Sequence, residues 1–322
     1  MQTVLNVGVD VAKASVMVAC AESSFAPQWV DNRRAALLVW LRGLPPGSRL
    51  GLEATGRYHQ LLADLAHAQG LIVYVLTPKD TRHYARALGR RGKTDRVDAQ
   101  MLARYVAKEY LELHPYVPPS PTEREIDHLL RRRARVVALK GALRASGQDL
   151  GECSAALQAA LDSLQTLIIQ LDEQLAARVR ASPPHQQVQQ RLQTIVGVGP
   201  LVSTCLANLF SRIAFGNADA VVAYSGFDPR PCDSGQKIGR RRLSKRGPSE
   251  LRRLLYNAAM SAAKTTTWKP FYLHHRSHGW SSTAASVILA RKLLRTAWAL
   301  YKHNTIFVPP AVQIIPTAPQ PA

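Results

Sequence analysis

Asp95 and Asp98 stand three residues apart in "GKTDRVDAQMLARY", residues 92–105, a spacing that puts two carboxylates on one face of a helix near its start. An isolated DxxD is ordinarily a solvated helix face. Here acidic residues are scarce, 22 against 42 Lys plus Arg, for a net charge of +20. Two further carboxylates close short apolar runs: Asp10 ends "TVLNVGVD" and Glu53 ends "LGLE". In a sheet that sets these two strands side by side, the two carboxylates lie next to each other. Four carboxylates crowded together repel unless cations sit between them, and Mg²⁺ prefers such hard oxygen ligands. A set made of Asp10, Glu53, Asp95 and Asp98 would suit phosphodiester chemistry, activating one oxygen and steadying another as it leaves. Lys79, Arg82, Arg86, Arg90, Arg91, Lys93 and Arg96 surround the DxxD in sequence and could hold a phosphate backbone beside it.

The elements that must position these groups are readable from periodicity. "TVLNVGVDV" and "ASVMVACA" are β-branched runs joined by a tight turn at Ala12–Lys13, which predicts a hairpin. "RAALLVWLRGL" has helical spacing, "RLGLEAT" is a short buried strand, "YHQLLADLAHAQG" is a helix closed by Gly70, and "LIVYVL" is a strand stopped by Pro78. One helix follows from about Asp80 and another begins near Asp95. Antiparallel strands followed by strand–helix alternation predict a mixed sheet flanked by helices.

"HPYVPPSPTERE" ends this region, and Thr122 with Glu125 predicts a capping box for the next helix. From there to about Arg180 the chain reads as helix. Leu157, Leu161, Leu164, Ile168, Leu171 and Leu175 recur at alternating spacings of four and three, a heptad seam. Two uses of that seam stand level: packing against residues 123–145 of the same chain, or self-association through a coiled coil. After "SPPHQQ", "TIVGVGPLVSTCLANL" reads as two helices joined by a two-glycine turn. A very basic, glycine-bearing loop follows, then helices at about 249–264 and 281–303. The tail "VPPAVQIIPTAPQPA" is Pro-rich and expected to be disordered.

Hydrophobic residues make up 46% of the 322, so the positive charge belongs to a folded protein of two or more domains. A pI near 10.3 on such a chain marks a partner that is a polyanion, above all nucleic acid. No apolar run of eighteen residues and no amphipathic anchor points to a membrane. With no signal-peptide pattern at the start, the cytoplasm is the expected compartment. Four scattered cysteines without CxxC spacing exclude a zinc ribbon and a disulfide framework. "HHRSHGW", with His274, His275 and His278, has roughly metal-like spacing but no acidic or thiol neighbour, and reads as a polar or phosphate-facing loop.

The segments "VGVDVAK", "LEATGRYH" and "KTDRVDAQMLARY" closely resemble the RuvC-like domain of the insertion-sequence one-ten family, DEDD transposases related to the pilin-gene invertases. The resemblance continues in order through "IVGVGP", "AYSGFDPRPCDSG", "LSKRGPSELRRLLYNAAM" and "ILARKLLRTAWALYKHNTIF", covering nearly the whole chain. It implies an α/β RuvC/ribonuclease-H-like domain at residues 1–115 and a helical coiled-coil region at 116–185. A mainly α transposase domain at 186–306 and a Pro-rich tail at 307–322 complete the expected order. Asp10, Glu53, Asp95 and Asp98 then take the DEDD positions, with Mg²⁺ or Mn²⁺ as cofactor.

The same resemblance assigns a serine that attacks DNA and becomes joined to it, at Ser234 in "CDSG". On spacing alone Ser225, Ser244 and Ser249 compete with it. A serine hydroxyl is a poor nucleophile without help. The loop nevertheless carries Arg230, Lys237, Arg240, Arg241, Arg242, Lys245 and Arg246, which could neutralise a scissile phosphate, and Gly235 permits close backbone approach. After the serine the chain reads "GQKIGRR" where relatives are often richer in Ser and Gly. No base for Ser234 is visible nearby, and the resemblance answers with a composite site in which one protomer's metal serves another's serine. It implies a homo-oligomer, dimer or tetramer, acting on donor and target DNA under the guidance of a structured noncoding RNA. The main rival is a hydrolytic Holliday-junction resolvase that uses the carboxylates with water. A sugar-kinase or actin-like ATPase would need a second phosphate loop that is not found. A nonenzymatic nucleic-acid binder would leave four carboxylates unexplained.

Overall fold

A computed structural model describes residues 4–309 apart from 23, 55, 90, 91, 93, 148–153, 232, 235–238 and 240. The chain divides into two compact units, Met1–Pro118 and Pro119–Ala322.

The first unit is built on a five-stranded mixed sheet. Its strands are β1 (Asn6–Val11), β2 (Ser15–Cys20), β3 (Gln28–Asp31), β4 (Arg49–Glu53) and β5 (Ile72–Leu76), in the order β3-β2-β1-β4-β5. β1, β2 and β3 pair antiparallel, whereas β4 and β5 run parallel to β1. The hairpin and the buried strands are as the apolar runs predict. β3 was not legible: "QWVD" is mostly exposed and lacks the alternation that betrays a half-buried strand.

Alternation along β1 sends Val7, Val9 and Val11 to one face, where they meet Leu50, Leu52 and the helices α1 (Arg34–Arg42) and α2 (Tyr58–Ala68). Gly8 and Asp10 therefore share the opposite face, as do Gly51 and Glu53 on β4. The two glycines sit directly opposite each other in the parallel register. Together they leave a strip without side chains, and α4 (Asp95–Glu109) lies on it. A Cβ on Gly8 would come within 1.9 Å of the Ala99 carbonyl oxygen, and one on Gly51 within 2.3 Å of Val106 Cγ2. Between β5 and α4 runs α3 (Pro78–Ala87), capped by Thr77.

The second unit is helical. α5 (Pro121–Ser146) and α6 (Ser154–Arg180) form a helical hairpin, followed by α7 (Pro183–Gln193), α8 (Pro200–Arg212) and α9 (Ala218–Ser225). A two-residue pair, β6 (Pro229–Arg230) with β7 (Arg242–Leu243), precedes α10 (Ser249–Ala262), α11 (Lys269–Ser277) and α12 (Ser282–His303). Its core joins α7, α8, α9, α10 and α12 around Leu206, Leu255, Leu289 and Leu293, all fully buried. Phe307 closes it by stacking on Trp268, with ring centroids 5.5 Å apart.

Two sequence expectations need correction in this unit, the capping box and the histidines, and the heptad seam takes one of its two readings. The capping box of α5 is Ser120 with Glu123, two residues earlier than Thr122 with Glu125: Ser120 Oγ accepts from Glu123 N at 3.2 Å, and Glu123 Oε2 accepts from Ser120 N at 2.7 Å. Pro121 takes the first helical position, where its missing N–H costs nothing. The heptad seam is used inside the chain. Leu161, Ile168, Leu171 and Leu175 are buried, with Ile168 and Leu171 on Val136 and Leu175 on Ile126, which is the intrachain one of the two uses open to it. Finally, His274 and His275 lie on α11 and not in a loop.

Candidate active site

In the first unit, the strand register sets Val9 opposite Leu52, so the next residues along, Asp10 and Glu53, end adjacent parallel strands on the same face. α4 reaches them because the Gly8–Gly51 strip lets its backbone come down onto the sheet. Ala99 packs with Met17, the residue paired with Asp10, which places the first turn of α4 at that same end. Asp95 and Asp98 occupy this turn, and Thr94 caps it by accepting from Val97 N at 3.3 Å. Carboxylates in a first turn also complement the helix dipole, a stabilisation of about 0.3–1 kcal/mol each when exposed. That is the bland role of the DxxD, and it coexists with the placement beside Asp10 and Glu53. Among the described residues, no three His, Cys, Asp or Glu groups are gathered closely enough to hold a metal ion.

A residue that sequence reasoning missed is Thr81. It is buried on α3, and its hydroxyl donates to Glu53 Oε2 at 2.8 Å and to the Pro78 carbonyl at 3.2 Å. Thr81 thereby fixes the rotamer of Glu53. A threonine inside a polar helix carries no signal in sequence; only the arrival of α3 behind β4 reveals it. Arg82 and Arg86 follow on exposed positions of α3. Arg90, Arg91 and Lys93 lie outside the described residues.

In the second unit, the β6–β7 pair carries Ser234 between its strands. Arg230 faces Arg242 across the pair, and both are exposed, as are Arg241, Lys245 and Arg246. Lys237 and Arg240 lie outside the described residues. Asp233 ties the loop: its Oδ1 accepts from Arg241 Nη1 at 2.6 Å and from Gly239 N at 3.1 Å. The hydrogen bond from Arg241 holds the Asp233 carboxyl below its ordinary value. The base of the hairpin is fixed more firmly. Arg252 Nη1 donates to the Ser225 carbonyl at 3.0 Å and to the Gly247 carbonyl at 2.7 Å, and its own burial lowers its pKa. A Cβ on Gly247 would fall 1.8 Å from the Tyr224 carbonyl oxygen, so only glycine allows that approach.

The four serines differ sharply. Ser225 is fully buried and donates to the Val222 carbonyl at 2.7 Å. Ser244 is buried and donates to Asp228 Oδ1. Ser249 is exposed at the start of α10, beside Glu250, which is held by Arg253 through two hydrogen bonds of 2.6 and 2.7 Å. Ser234 is exposed.

The histidine trio packs together on and just after α11, edge-on between His274 and His275 and tilted between His274 and His278. The His274 and His278 rings are 4.3 Å apart, and His278 Nδ1 lies 2.7 Å from the His274 carbonyl oxygen. Burial and then the neighbouring imidazoles push His275 below its ordinary pKa. No helix among the described residues is long and apolar enough to cross a membrane.

Comparison with known proteins defines the class. Residues 7–146 match a DEDD transposase domain of the IS110 type, described as "Transposase", and residues 189–273 match "Transposase IS116/IS110/IS902 family". Together they span more than half of the chain, which is thus a two-part transposase, an enzyme acting on DNA.

It belongs to the IS110 family. Over 315 residues it is 27% identical to a pilin gene-inverting protein of Moraxella bovis, covering 94% of this chain and 97% of that one. A probable family 20 transposase of Pseudomonas aeruginosa is 25% identical, with 86% and 90% covered. A DEDD transposase domain points to dependence on a divalent cation, and the carboxylates at the ends of β1 and β4 and at the start of α4 are hard oxygen donors of the kind such ions take.

Proposed function

We propose that this chain is a strand-exchanging DNA recombinase of an insertion sequence that uses Ser234 as nucleophile and Asp10, Glu53, Asp95 and Asp98 as metal-holding carboxylates. The order β3-β2-β1-β4-β5, with its antiparallel half followed by parallel strands, supports a RuvC/ribonuclease-H-like reading of residues 1–115. The observation that carries the serine is exposure inside the β6–β7 loop, since Ser249 is exposed too but opens α10 beyond that loop. Of the serines in competition, Ser225 and Ser244 are buried with committed hydroxyls, whereas Ser234 is open and set among Arg230, Arg241 and Arg242.

In the reaction, Ser234 Oγ forms a bond to phosphorus and gives up its proton. The bond from phosphorus to the departing sugar oxygen breaks, and that oxygen takes up a proton. One phosphate ester replaces another, so the strand is held on the protein and can be passed to a second hydroxyl without loss of bond energy. Arg230 and Arg242 offset the phosphate charge as the serine approaches. The chemistry that Mg²⁺, or Mn²⁺, would supply at the carboxylates is further charge neutralisation at the reacting phosphate. Glu53, held by Thr81, is pre-oriented for that role.

The working form in this reading is a homo-oligomer, dimer or tetramer, in which one copy's carboxylates serve another's serine. It binds donor and target DNA and a structured guide RNA. The net charge of +20 suits two polyanions bound together, and the membership of the family supplies the rest. The cytoplasm is the compartment where these substrates meet.

The test is a denaturing gel of labelled DNA incubated with guide RNA, Mg²⁺ and parent, Ser234→Ala, Ser249→Ala or Asp98→Asn protein. A covalent protein–DNA band present in the parent and in Ser249→Ala, and absent from the other two, is expected. Cutting that continues in Ser234→Ala without any covalent band would replace this reading with a water-using resolvase.

A further inference from the structure

The second unit contains a cleft of about 610 Å³ where the α5–α6 hairpin meets α8 and α10. Its floor is aliphatic, including Ile168, Leu201 and Leu254, and its rim is basic, with Arg133, Lys140 and Arg144. The rim is partly preorganised: Arg133 makes two hydrogen bonds to Asp172, at 2.5 and 3.0 Å, and Lys140 Nζ donates to Gln165 Oε1 at 2.7 Å. Arg144 has no partner among the described residues. Gly141 also lines the cleft, deep within a helix of 26 residues, and a Cβ there would meet nothing within 4 Å. Glycine is the poorest ordinary residue for a helix interior. No packing within the chain requires it here, so the space beyond it is left open.

We propose that this cleft receives one unpaired nucleotide of DNA, its base on the aliphatic floor and its phosphates on the basic rim. The volume falls in the range of small-molecule pockets, roughly 300–1,000 Å³. The phosphates of an intact duplex would meet the rim but leave the floor unused, because their bases are stacked inside the helix. An unpaired nucleotide uses both surfaces, and a base face rests on an apolar surface whatever its sequence. The proposal rests on the reading of the chain as a strand-exchange enzyme, since exchange opens a duplex and creates such nucleotides.

The test fills the cleft without touching its charge. Gly141→Leu places a side chain in the open space, and Gly141→Ala adds helix propensity with almost no bulk. Binding of fluorescein-labelled oligonucleotides, thymidine single strands, a duplex of equal length and the matching RNA, is read by anisotropy. Gly141→Leu should weaken the DNA single strand several-fold or more, by denying the base the aliphatic floor, and leave the duplex within about twofold. Gly141→Ala should bind as the parent does. Lys140→Gln/Arg144→Gln, both changes on the rim, should reduce the single-strand salt slope by about 1.4, for two lost phosphate contacts. Parental affinity in Gly141→Leu, equal loss for strand and duplex, equal loss in Gly141→Ala, or loss confined to RNA would each overturn the proposal. Covalent adduct formation through Ser234 is read in parallel. An adduct that persists while all affinities stay parental overturns the cleft alone and leaves the serine chemistry standing.

Discussion

Replacing Gly8 by alanine should separate α4 from the sheet and, with it, Asp95 and Asp98 from Asp10 and Glu53. The added Cβ would lie 1.9 Å from the Ala99 carbonyl oxygen and 2.2 Å from the Ala103 amide nitrogen. Both are backbone atoms, so no rotamer change relieves the contact. Restoring an ordinary separation near 3.4 Å requires α4 to rise by roughly 1.5 Å, and overpacking of this kind costs about 1–3 kcal/mol. A displacement of about 1 Å at a reacting centre can cost about 10²-fold in rate. Gly51→Ala provides the internal control. Its Cβ would meet chiefly Val106 Cγ2, at 2.3 Å, a side-chain atom that Val106→Ala removes. Thermal unfolding and DNA cleavage, measured for Gly8→Ala, Gly51→Ala, Gly51→Ala/Val106→Ala and Gly8→Ala/Val106→Ala, form the assay. Both single variants should lose stability and cleavage, and Val106→Ala should rescue Gly51→Ala substantially but not Gly8→Ala. Parental stability and cleavage in Gly8→Ala would refute the argument that the glycine strip sets the height of α4 and the place of its carboxylates.

Two further outcomes follow from the second unit. Leu171→Ala should destabilise the chain by about 2–5 kcal/mol through the cavity it leaves against Val136, with no change of molecular mass by light scattering; a smaller mass would return the seam to an interface between copies. The Asp233 carboxyl is depressed from its ordinary 3.8 in the folded loop, so its contribution is fully present above 3.8 and is lost as pH falls through the lower folded value. Hydrogen exchange at the Gly239 amide, corrected for intrinsic rates, should stay protected from neutral pH down to that region and then lose protection, while Asp233→Ala is unprotected throughout; protection that survives in Asp233→Ala would show that the carboxylate does not tie the loop.

Much of the first unit was legible because both of its codes are strong. Period-two and fully apolar runs mark β1, β2, β4 and β5, and Asp10 and Glu53 stand out as the charged ends of such runs. Their adjacency, however, depends on β4 pairing parallel with β1, a long-range choice that local pattern does not dictate. Thr81 was invisible for the same reason, since its meaning comes from a helix 28 residues after Glu53 in the chain. The heptad seam shows the converse limit. Spacing announces that a helix face will be buried, but the partner is decided by whichever surface is closest, and α5 is covalently tethered. Ser234 could be distinguished from Ser225 and Ser244 only by burial, which three neighbouring serines in a basic stretch do not disclose.

The staple formed by Arg252 separates two kinds of constraint within one short segment. Below it, Gly226 and Gly247 sit against backbone atoms that leave no room for a side chain, and the Ser225 and Gly247 carbonyls are tied to Arg252. Above it, Asp233 accepts from Arg241 and from the Gly239 amide at the surface. A change of side chain at Gly226 or Gly247 is therefore felt at once by the backbone, whereas a change at Asp233 or Arg241 meets side chains at the surface.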